Sequence, residues 1–264
     1  MTIHNDTEAS LSSVSIVVTT FNRVNLLSET IGSILGQTYT DFELIIVDNM
    51  SEDGTKEYVV GIADSRIRYY KNANNGVIAV NRNFGIQQSM GKYIALCDDD
   101  DLWLSDKLQC QVDLMESKPG VALCYTNAES FSDDKILKRK MIRRSVRSNH
   151  FNQLLRGNYI PNSSVLIRTQ VFSRLGLLTT DSMLREDYHM WLRIAKDYTL
   201  EGIDESLIRY RVHLSNVAGN RTSETLRAIR TVKSIVKLIE VPWLFAQVNI
   251  GFQYFKYILY FIIK

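Results

Sequence analysis

Proline is nearly missing from this chain, at 3 in 264 residues, and glycine is sparse at 13. So few breakers exclude a collagen-like, linker-rich or low-complexity chain. Charge of one sign is lacking too: 31 Lys and Arg against 29 Asp and Glu leave a formal net charge of +2. The chain as a whole is therefore no polyelectrolyte partner for nucleic acid. Only three cysteines occur, Cys97, Cys110 and Cys124, spaced 13 and 14 positions apart. An odd count at that spacing fits neither a disulfide framework nor paired metal ligands, and a reducing cytosol is the expected setting. Residues 1–13 are polar and hold no apolar core of signal-peptide type, so export is not expected.

Several chemistries are excluded by missing motifs. No Gly-x-Gly occurs, which removes the dinucleotide fingerprint. The stretch from Gly85 to Gly91-Lys92 has five residues between its glycines where a phosphate loop has four, and Tyr93 replaces the required Ser or Thr. His4, His150, His189 and His213 are too dispersed for a paired-His zinc motif, and no Gly-x-Ser-x-Gly elbow is present. Hydrolase readings lose most of their support.

What remains is an ordinary globular balance, 45% hydrophobic and 23% charged, in a length that allows roughly one or two domains at ~150 residues each. The β-branched run at 14–20 reads as a buried strand, and Leu27, Ile31, Ile34 and Leu35 at helical spacing predict a helix over 26–35. A strand at 42–47, a helix at 53–62, a strand at 66–70, a helix at 77–90 and a strand at 93–96 continue the alternation. Alternating units imply an α/β fold with a parallel sheet and right-handed crossovers. Beyond 120 the regularity weakens: strands at 121–125 and 163–167 flank a basic stretch at 135–144. A helix at 184–195 buries Tyr188, Trp191, Leu192 and Ala195 on one stripe, and 206–212 is a last strand.

In such sheets the ligand sits beyond the carboxyl ends of the strands. Those ends are polar here: Thr19-Thr20-Phe21-Asn22-Arg23, then the loop from Asp48 to Gly54, then Asp98-Asp99-Asp100-Asp101. Four successive aspartates repel one another, and a divalent cation resolves that repulsion. Hard oxygen ligands suit Mg²⁺ or Mn²⁺, commonly bound through one or two carboxylates plus substrate phosphates. A solvated turn capping the next helix is the bland alternative. Asp48 and Asp53 divide between nucleotide binding and helix capping.

Taken in order, these segments resemble glycosyltransferase family 2, the large GT-A-fold family of nucleotide-sugar-dependent enzymes. Thr20-Phe21-Asn22-Arg23 resembles its opening signature, and Val47-Asp48-Asn49-Met50-Ser51-Glu52-Asp53-Gly54-Thr55 its Asp-rich second loop. Asn81-Arg82-Asn83-Phe84-Gly85-Ile86 resembles the third block, the four aspartates the metal motif, and Arg185-Glu186-Asp187-Tyr188 the late Glu-Asp motif. The likeness runs over about 14–213. Asn49 departs from it, standing where many relatives carry a second Asp, and the Gln-x-x-Arg-Trp signature of processive synthases is missing.

The resemblance implies a Rossmann-like, mostly parallel central sheet flanked by helices, with C-terminal amphipathic helices. It also implies an inverting, metal-dependent transfer of one hexose from a nucleotide diphosphate sugar, with UDP-glucose or UDP-galactose as examples. Asp48 is then expected at the base, Arg82 at the nucleotide, Asp98 at the ribose, and Asp100 with His213 at Mn²⁺ or Mg²⁺. Thr20, Asn22, Arg23, Asp53 and Asp99 join the donor side, Asp187 is the expected base, and Glu186 contacts acceptor or orients that base. On this reading the chain divides into a polar extension (1–13), a nucleotide-sugar-binding half (14–120), an acceptor-binding half of the same domain (121–215) and a membrane-associating tail (216–264).

The tail carries Arg227, Arg230, Lys233 and Lys237 as one basic helical stripe, and from 241 onward it turns apolar and aromatic. Asn249, Gln253, Lys256, Tyr260 and Lys264 share one face of that last segment, which reads as in-plane association with the inner face of the cytoplasmic membrane. Docking of the tail on the catalytic domain or on a second copy, forming a homo-oligomer, stays open. The acceptor implied is a lipid-diphosphate-linked saccharide in O-antigen or surface polysaccharide assembly, giving a β-linkage. Transfer to protein or soluble glycan, a non-catalytic nucleotide-sugar-binding protein and a nucleotidyltransferase are the alternatives.

Overall fold

Two β-branched runs, Val14–Thr20 (β1) and Phe42–Asp48 (β2), are buried along their whole length, as strands covered on both faces must be. The computed structural model describes residues 13–132, 135–142, 148–213 and 221–238. In it β1 pairs in parallel with β2 and with β4 (Tyr93–Asp98), and β2 with β3 (Ile67–Lys71). The crossovers are α1 (Val24–Leu35), the short α2 (Thr55–Val60) and α3 (Ile78–Gln88).

The sheet is mixed. β8 (Val165–Arg168) inserts antiparallel between β4 and β6 (Val121–Ser132), β9 (Thr199–Arg211) runs parallel to β6, and the two-residue β5 (Leu102–Trp103) closes the far edge on β9. The order is β3-β2-β1-β4-β8-β6-β9-β5, with β7 (Lys135–Lys138) paired antiparallel to β6. β2 and β3 are added on one side of β1 and β4 on the other, so the gap between the parallel β1 and β4 is the switch point at which open α/β sheets form a ligand crevice.

One face of the sheet packs on α1, α2 and α4 (Lys107–Ser117) through Leu27, Ile31, Val59, Leu108 and Met115. The other packs on α3, α5 (His150–Leu155), α6 (Thr169–Leu175), α7 (Glu186–Asp197) and α8 (Arg221–Leu238) through Ile86, Leu154, Phe172, Trp191, Val232 and Ile235. Gly85 is required where α3 crosses the sheet, since a Cβ there would lie 2.4 Å from a Val17 methyl; at Gly91 it would lie 2.6 Å from the Ser15 backbone nitrogen. These close approaches explain the glycines of the false phosphate loop.

Several boundaries differ from the sequence reading. β6 extends to Ser132 and β9 begins at Thr199, because the two long strands pair over most of their length with register shifts that break simple alternation. Part of the basic stretch forms β7, whose side chains are exposed. Among the described residues no helix is long and apolar enough to cross a membrane. The segment 241–264 lies outside the described residues.

Lys107, at the start of α4, is fully buried; its Nζ donates to Gln111 Oε1 at 2.7 Å and lies 3.7 Å from the centre of the Trp103 ring. Burial pushes its pKa from an ordinary 10.5 down to about 7, because the ammonium loses its hydration. Between those values the unfolded chain binds more protons than the native one, so this group makes stability rise with pH across that window. Denaturant unfolding of wild type and Lys107→Met will show wild type gaining on the variant from pH 7 to pH 10. A difference independent of pH would contradict a buried amine that titrates in this window.

Candidate active site

The β4 strand ends at Asp98 and delivers the aspartates to the crevice, where the turn that follows sends Asp99, Asp100 and Asp101 to different partners. Asp98 Oδ1 accepts from Arg82 Nη2 at 2.5 Å and from Asn162 Nδ2 at 2.8 Å. Asp99 accepts from Thr20 Oγ1 at 2.8 Å and from Arg23 Nη1 at 3.1 Å. Burial first, then repulsion from Asp100, raises the Asp99 pKa against the opposing pull of Thr20 and Arg23. Asp100 Oδ2 meets Arg23 Nη1 at 3.2 Å and His213 Nε2 at 2.8 Å.

Asp101 plays a different part. It is fully buried, accepts from Ser163 Oγ at 2.5 Å and from the Arg211 backbone N–H at 2.9 Å, and so pins the end of β9 to the acidic loop. That pin is what brings His213, two residues later, beside Asp100. Burial, then Asp98 and Asp100, holds the Asp101 pKa well above the ordinary carboxylate range.

The expected donor residues fall into two groups. Thr20, Arg23 and Asp99 line a cavity of ≈ 260 Å³ together with Phe21, Asn49 and Asn74. Phe21 is 51% exposed there, an aromatic face at the crevice that sequence reading leaves unassigned. Asn49 Oδ1 accepts from the Asn74 backbone N–H at 2.9 Å, fixing the opposite wall. Asn22, Asp48 and Asp53 lie outside the lining and build its frame. Asp48 is fully buried, one oxygen engaged by Ser51 and the other by the Tyr69 hydroxyl. Asn22, in the left-handed region at φ 50°, bonds Ser51 Oγ and the Glu52 N–H, tying the first loop to the second. Asp53 accepts from the Val24 and Thr55 N–H groups and thereby caps α1 and α2.

Arg82, Asp98, Glu186 and Asp187 line a second cavity of ≈ 450 Å³. Arg82 is buried on α3 beside Asn81 and Asn83. That polar inner face is why α3 lacks a clean apolar stripe. Its guanidinium bridges Asp98 and Glu186. Burial disfavours its charge, yet Asp98, Glu186 and Asp187 outweigh that and raise its pKa. Asp187 opens α7, accepts from Asn158 Nδ2 at 3.1 Å, and makes no ion pair among the described residues. Tyr210, in the same wall, is pushed up to about 12 by burial and by Asp101, Asp98 and Asp100, so it stays neutral near pH 7.

Arg185 and Arg227 also reach this cavity. Arg185 adjoins the Glu-Asp pair in the late motif but is not assigned a role from sequence, although that adjacency is the signal that could have found it. Arg227 offers no such signal: read as the first member of an outward basic stripe, it turns inward to donate to the Leu184 carbonyl at 2.8 Å, while Arg230, Lys233 and Lys237 are exposed.

A metal fits the donor set. Asp100 Oδ2 and His213 Nε2 lie 2.8 Å apart, a carboxylate oxygen and an imidazole nitrogen that suit Mn²⁺ completed by substrate phosphates, whereas Mg²⁺ would take the oxygen ligand alone. Among the described residues no group of three or more ligands forms a self-sufficient cage.

Comparison with known proteins places this geometry. The model of "Glycosyl transferase family 2" matches residues 15–176. The chain is 29% identical over 246 residues to the Escherichia coli UDP-Glc:alpha-D-GlcNAc-diphosphoundecaprenol beta-1,3-glucosyltransferase WfgD, covering 91% of this chain and 94% of that one. It is 26% identical to the putative teichuronic acid biosynthesis glycosyltransferase TuaG of Bacillus subtilis, covering 89% and 93%. Among solved structures, TarS from S. aureus superposes with a TM-score of 0.72 at 14% identity, over 91% of this chain and 70% of that one. The mannosyltransferase PcManGT from Pyrobaculum calidifontis, in complex with GDP-Man and Mn²⁺, superposes at 0.66 with 19% identity, over 93% and 70%. These likenesses show the GT-A fold.

Proposed function

The chain belongs to glycosyl transferase family 2, a family of glycosyltransferases, and we propose that it moves one hexose from a UDP-sugar to a lipid-diphosphate-linked saccharide with inversion at the anomeric carbon. One observation carries the reading: in the larger cavity the carboxylates of Asp98 and Glu186 are committed to Arg82, whereas Asp187 has a neutral amide as its partner. Asp187 is therefore the carboxylate free to take a proton. The name of WfgD, a transferase from UDP-Glc to GlcNAc-diphosphoundecaprenol, supports the donor and acceptor classes and a role in surface polysaccharide assembly.

The nucleoside lies in the smaller cavity against Phe21, between the Asn49–Asn74 wall and Asp99. Arg23, paired with Asp99 and Asp100, sits at the junction where the diphosphate passes. Asp100 and His213 would hold Mn²⁺, or Asp100 alone Mg²⁺, which when bound supplies Lewis-acid stabilisation to the departing nucleoside diphosphate. The sugar extends toward Arg82 and Asp98, and the acceptor hydroxyl approaches from the larger cavity. Its oxygen forms a bond to the anomeric carbon as the bond from that carbon to the diphosphate oxygen breaks. The hydroxyl proton passes to Asp187, and UDP leaves with the bonding pair. A single in-line displacement gives a β-linkage from an α-linked donor.

Arg230, Lys233 and Lys237 are exposed along α8 and lead toward 241–264. We assign this face to the anionic inner surface of the cytoplasmic membrane, where each basic residue is worth about 1 kcal/mol.

Release of UDP from a panel of UDP-sugars, with Mn²⁺ or EDTA and with or without GlcNAc linked to a lipid diphosphate, tests the reading. One donor will give release that needs metal and is stimulated by acceptor, and Asp187→Asn will fold normally while losing about 10²–10⁴-fold in turnover. Release insensitive to the acceptor, or near-normal kcat in the variant, would contradict it. Removing 241–264 will shift the protein from the membrane to the soluble fraction, and unchanged fractionation would refute the membrane assignment.

A further inference from the structure

The mouth of the larger cavity holds two arginines that converge on one carboxylate. Arg227 Nη1 lies 3.1 Å from Glu224 Oε1, and Arg185 Nε lies 3.7 Å from Glu224 Oε2. Both guanidiniums line the same cavity as Asp187. The Arg227 guanidinium is braced from behind, Nη2 donating to the Leu184 carbonyl at 2.8 Å, and the Arg185 backbone is tied to α8 by its N–H donating to Thr231 Oγ1 at 2.9 Å. The Arg227 Nε–H is buried with no hydrogen-bond partner among the described residues. Burial disfavours charge on Arg185, but Asp187, Glu224 and Glu186 outweigh it and raise its pKa.

A half-exposed surface ion pair contributes little to stability, so this convergence calls for another account. Guanidinium forks match planar and tetrahedral oxyanions, and two of them aimed at one point form an oxyanion seat. Glu224, its side chain 46% exposed, is the more accessible party, whereas the arginines are about one third exposed. Glu224 and Arg227 also wall a neighbouring cavity of ≈ 340 Å³ beside the start of α3, which gives a displaced Glu224 side chain room.

We propose that Arg185 and Arg227 seat the diphosphate of the acceptor, and that Glu224 is an intramolecular placeholder that this diphosphate displaces. The inference rests on the lipid-diphosphate reading above and names the groups that recognise it. Taken with Glu224 alone the two arginines carry one net positive charge, which exchange of Glu224 for a doubly charged diphosphate diester neutralises; Glu186, 4.0 Å from Arg227 Nη2, stays behind committed to Arg82. A saccharide held by its diphosphate between these arginines presents its hydroxyl to Asp187, which lines the same cavity.

Inorganic pyrophosphate, titrated calorimetrically into the full chain with UDP saturating, reports on the seat without turnover. Wild type will bind it, Arg227→Gln and Arg185→Gln will bind at least tenfold more weakly, Arg227→Lys will recover part of the loss, and Glu224→Gln will bind severalfold more tightly. In turnover, Arg227→Gln will raise the KM for a lipid-diphosphate-linked GlcNAc at least tenfold and the KM for the UDP-sugar less than twofold. It will not change the KM for an alkyl GlcNAc of equal chain length that lacks the diphosphate. Melting curves check the fold of each variant, and Glu224→Gln, whose effect has the opposite sign, tests the seat even if an arginine variant unfolds. No pyrophosphate binding by wild type, equal binding by Arg227→Gln, or weaker binding by Glu224→Gln would overturn the seat. So would affinity for phosphatidylglycerol vesicles that falls in Arg227→Gln while pyrophosphate binding holds, because the pair would then serve headgroups. If the pyrophosphate pattern holds but no lipid-diphosphate acceptor stimulates UDP release, the oxyanion seat stands and the transferase reading fails.

Discussion

A single buried guanidinium joins the two halves of this site. Arg82 projects from α3 into the gap between the end of β4 and the start of α7, where it meets Asp98 on one side and Glu186 on the other. A buried charge of this kind costs several kcal/mol in lost hydration and is tolerated only when its partners are in place. The pairing therefore fixes the position of α7 relative to the acidic loop. Asp187, next in sequence to Glu186, is aimed into the cavity by that constraint and by the apolar anchors Tyr188 and Trp191, both fully buried.

The run of aspartates works because its members do not share a task. Asp98 holds Arg82, Asp99 holds Thr20 and Arg23, Asp100 meets His213, and Asp101 is sealed inside as the clasp on Arg211. Repulsion among them is relieved mainly by two arginines and several hydrogen-bond donors, with Asp100 and His213 left as the pair able to bind a cation. A cluster that looks like one metal site in sequence is thus a bridge at Asp98, a wall of the smaller cavity at Asp99, a ligand candidate at Asp100 and a buried clasp at Asp101.

The first half of the fold was legible because its strands are continuous β-branched runs and its helices carry apolar spacing, so β1, α1, β2 and β4 lie close to where periodicity puts them. The loops at their ends followed from topology alone. What periodicity could not give was β6 paired with β9, since Asn127, Glu129, Gly202 and Asp204 interrupt the alternation while long-range pairing holds the strands together. Nor could it separate ligand from frame: Asp48 and Asp53 have the composition of a binding loop, yet their oxygens are spent on Ser51, Tyr69, Val24 and Thr55. Arg227 shows the same limit from the other direction, because a helical stripe of four cations hides the one that faces inward.

Arg82 couples the acidic loop at the end of β4 to the helix bearing Asp187. A double-mutant cycle on unfolding free energy, using Arg82→Met, Glu186→Gln and the pair, measures that coupling directly. Arg82→Met alone will lose about 3 kcal/mol by leaving two partly buried carboxylates uncompensated, and adding Glu186→Gln will restore at least about 1 kcal/mol of it. Effects that add to within about 0.5 kcal/mol would mean that the two residues do not interact energetically, and would contradict the account.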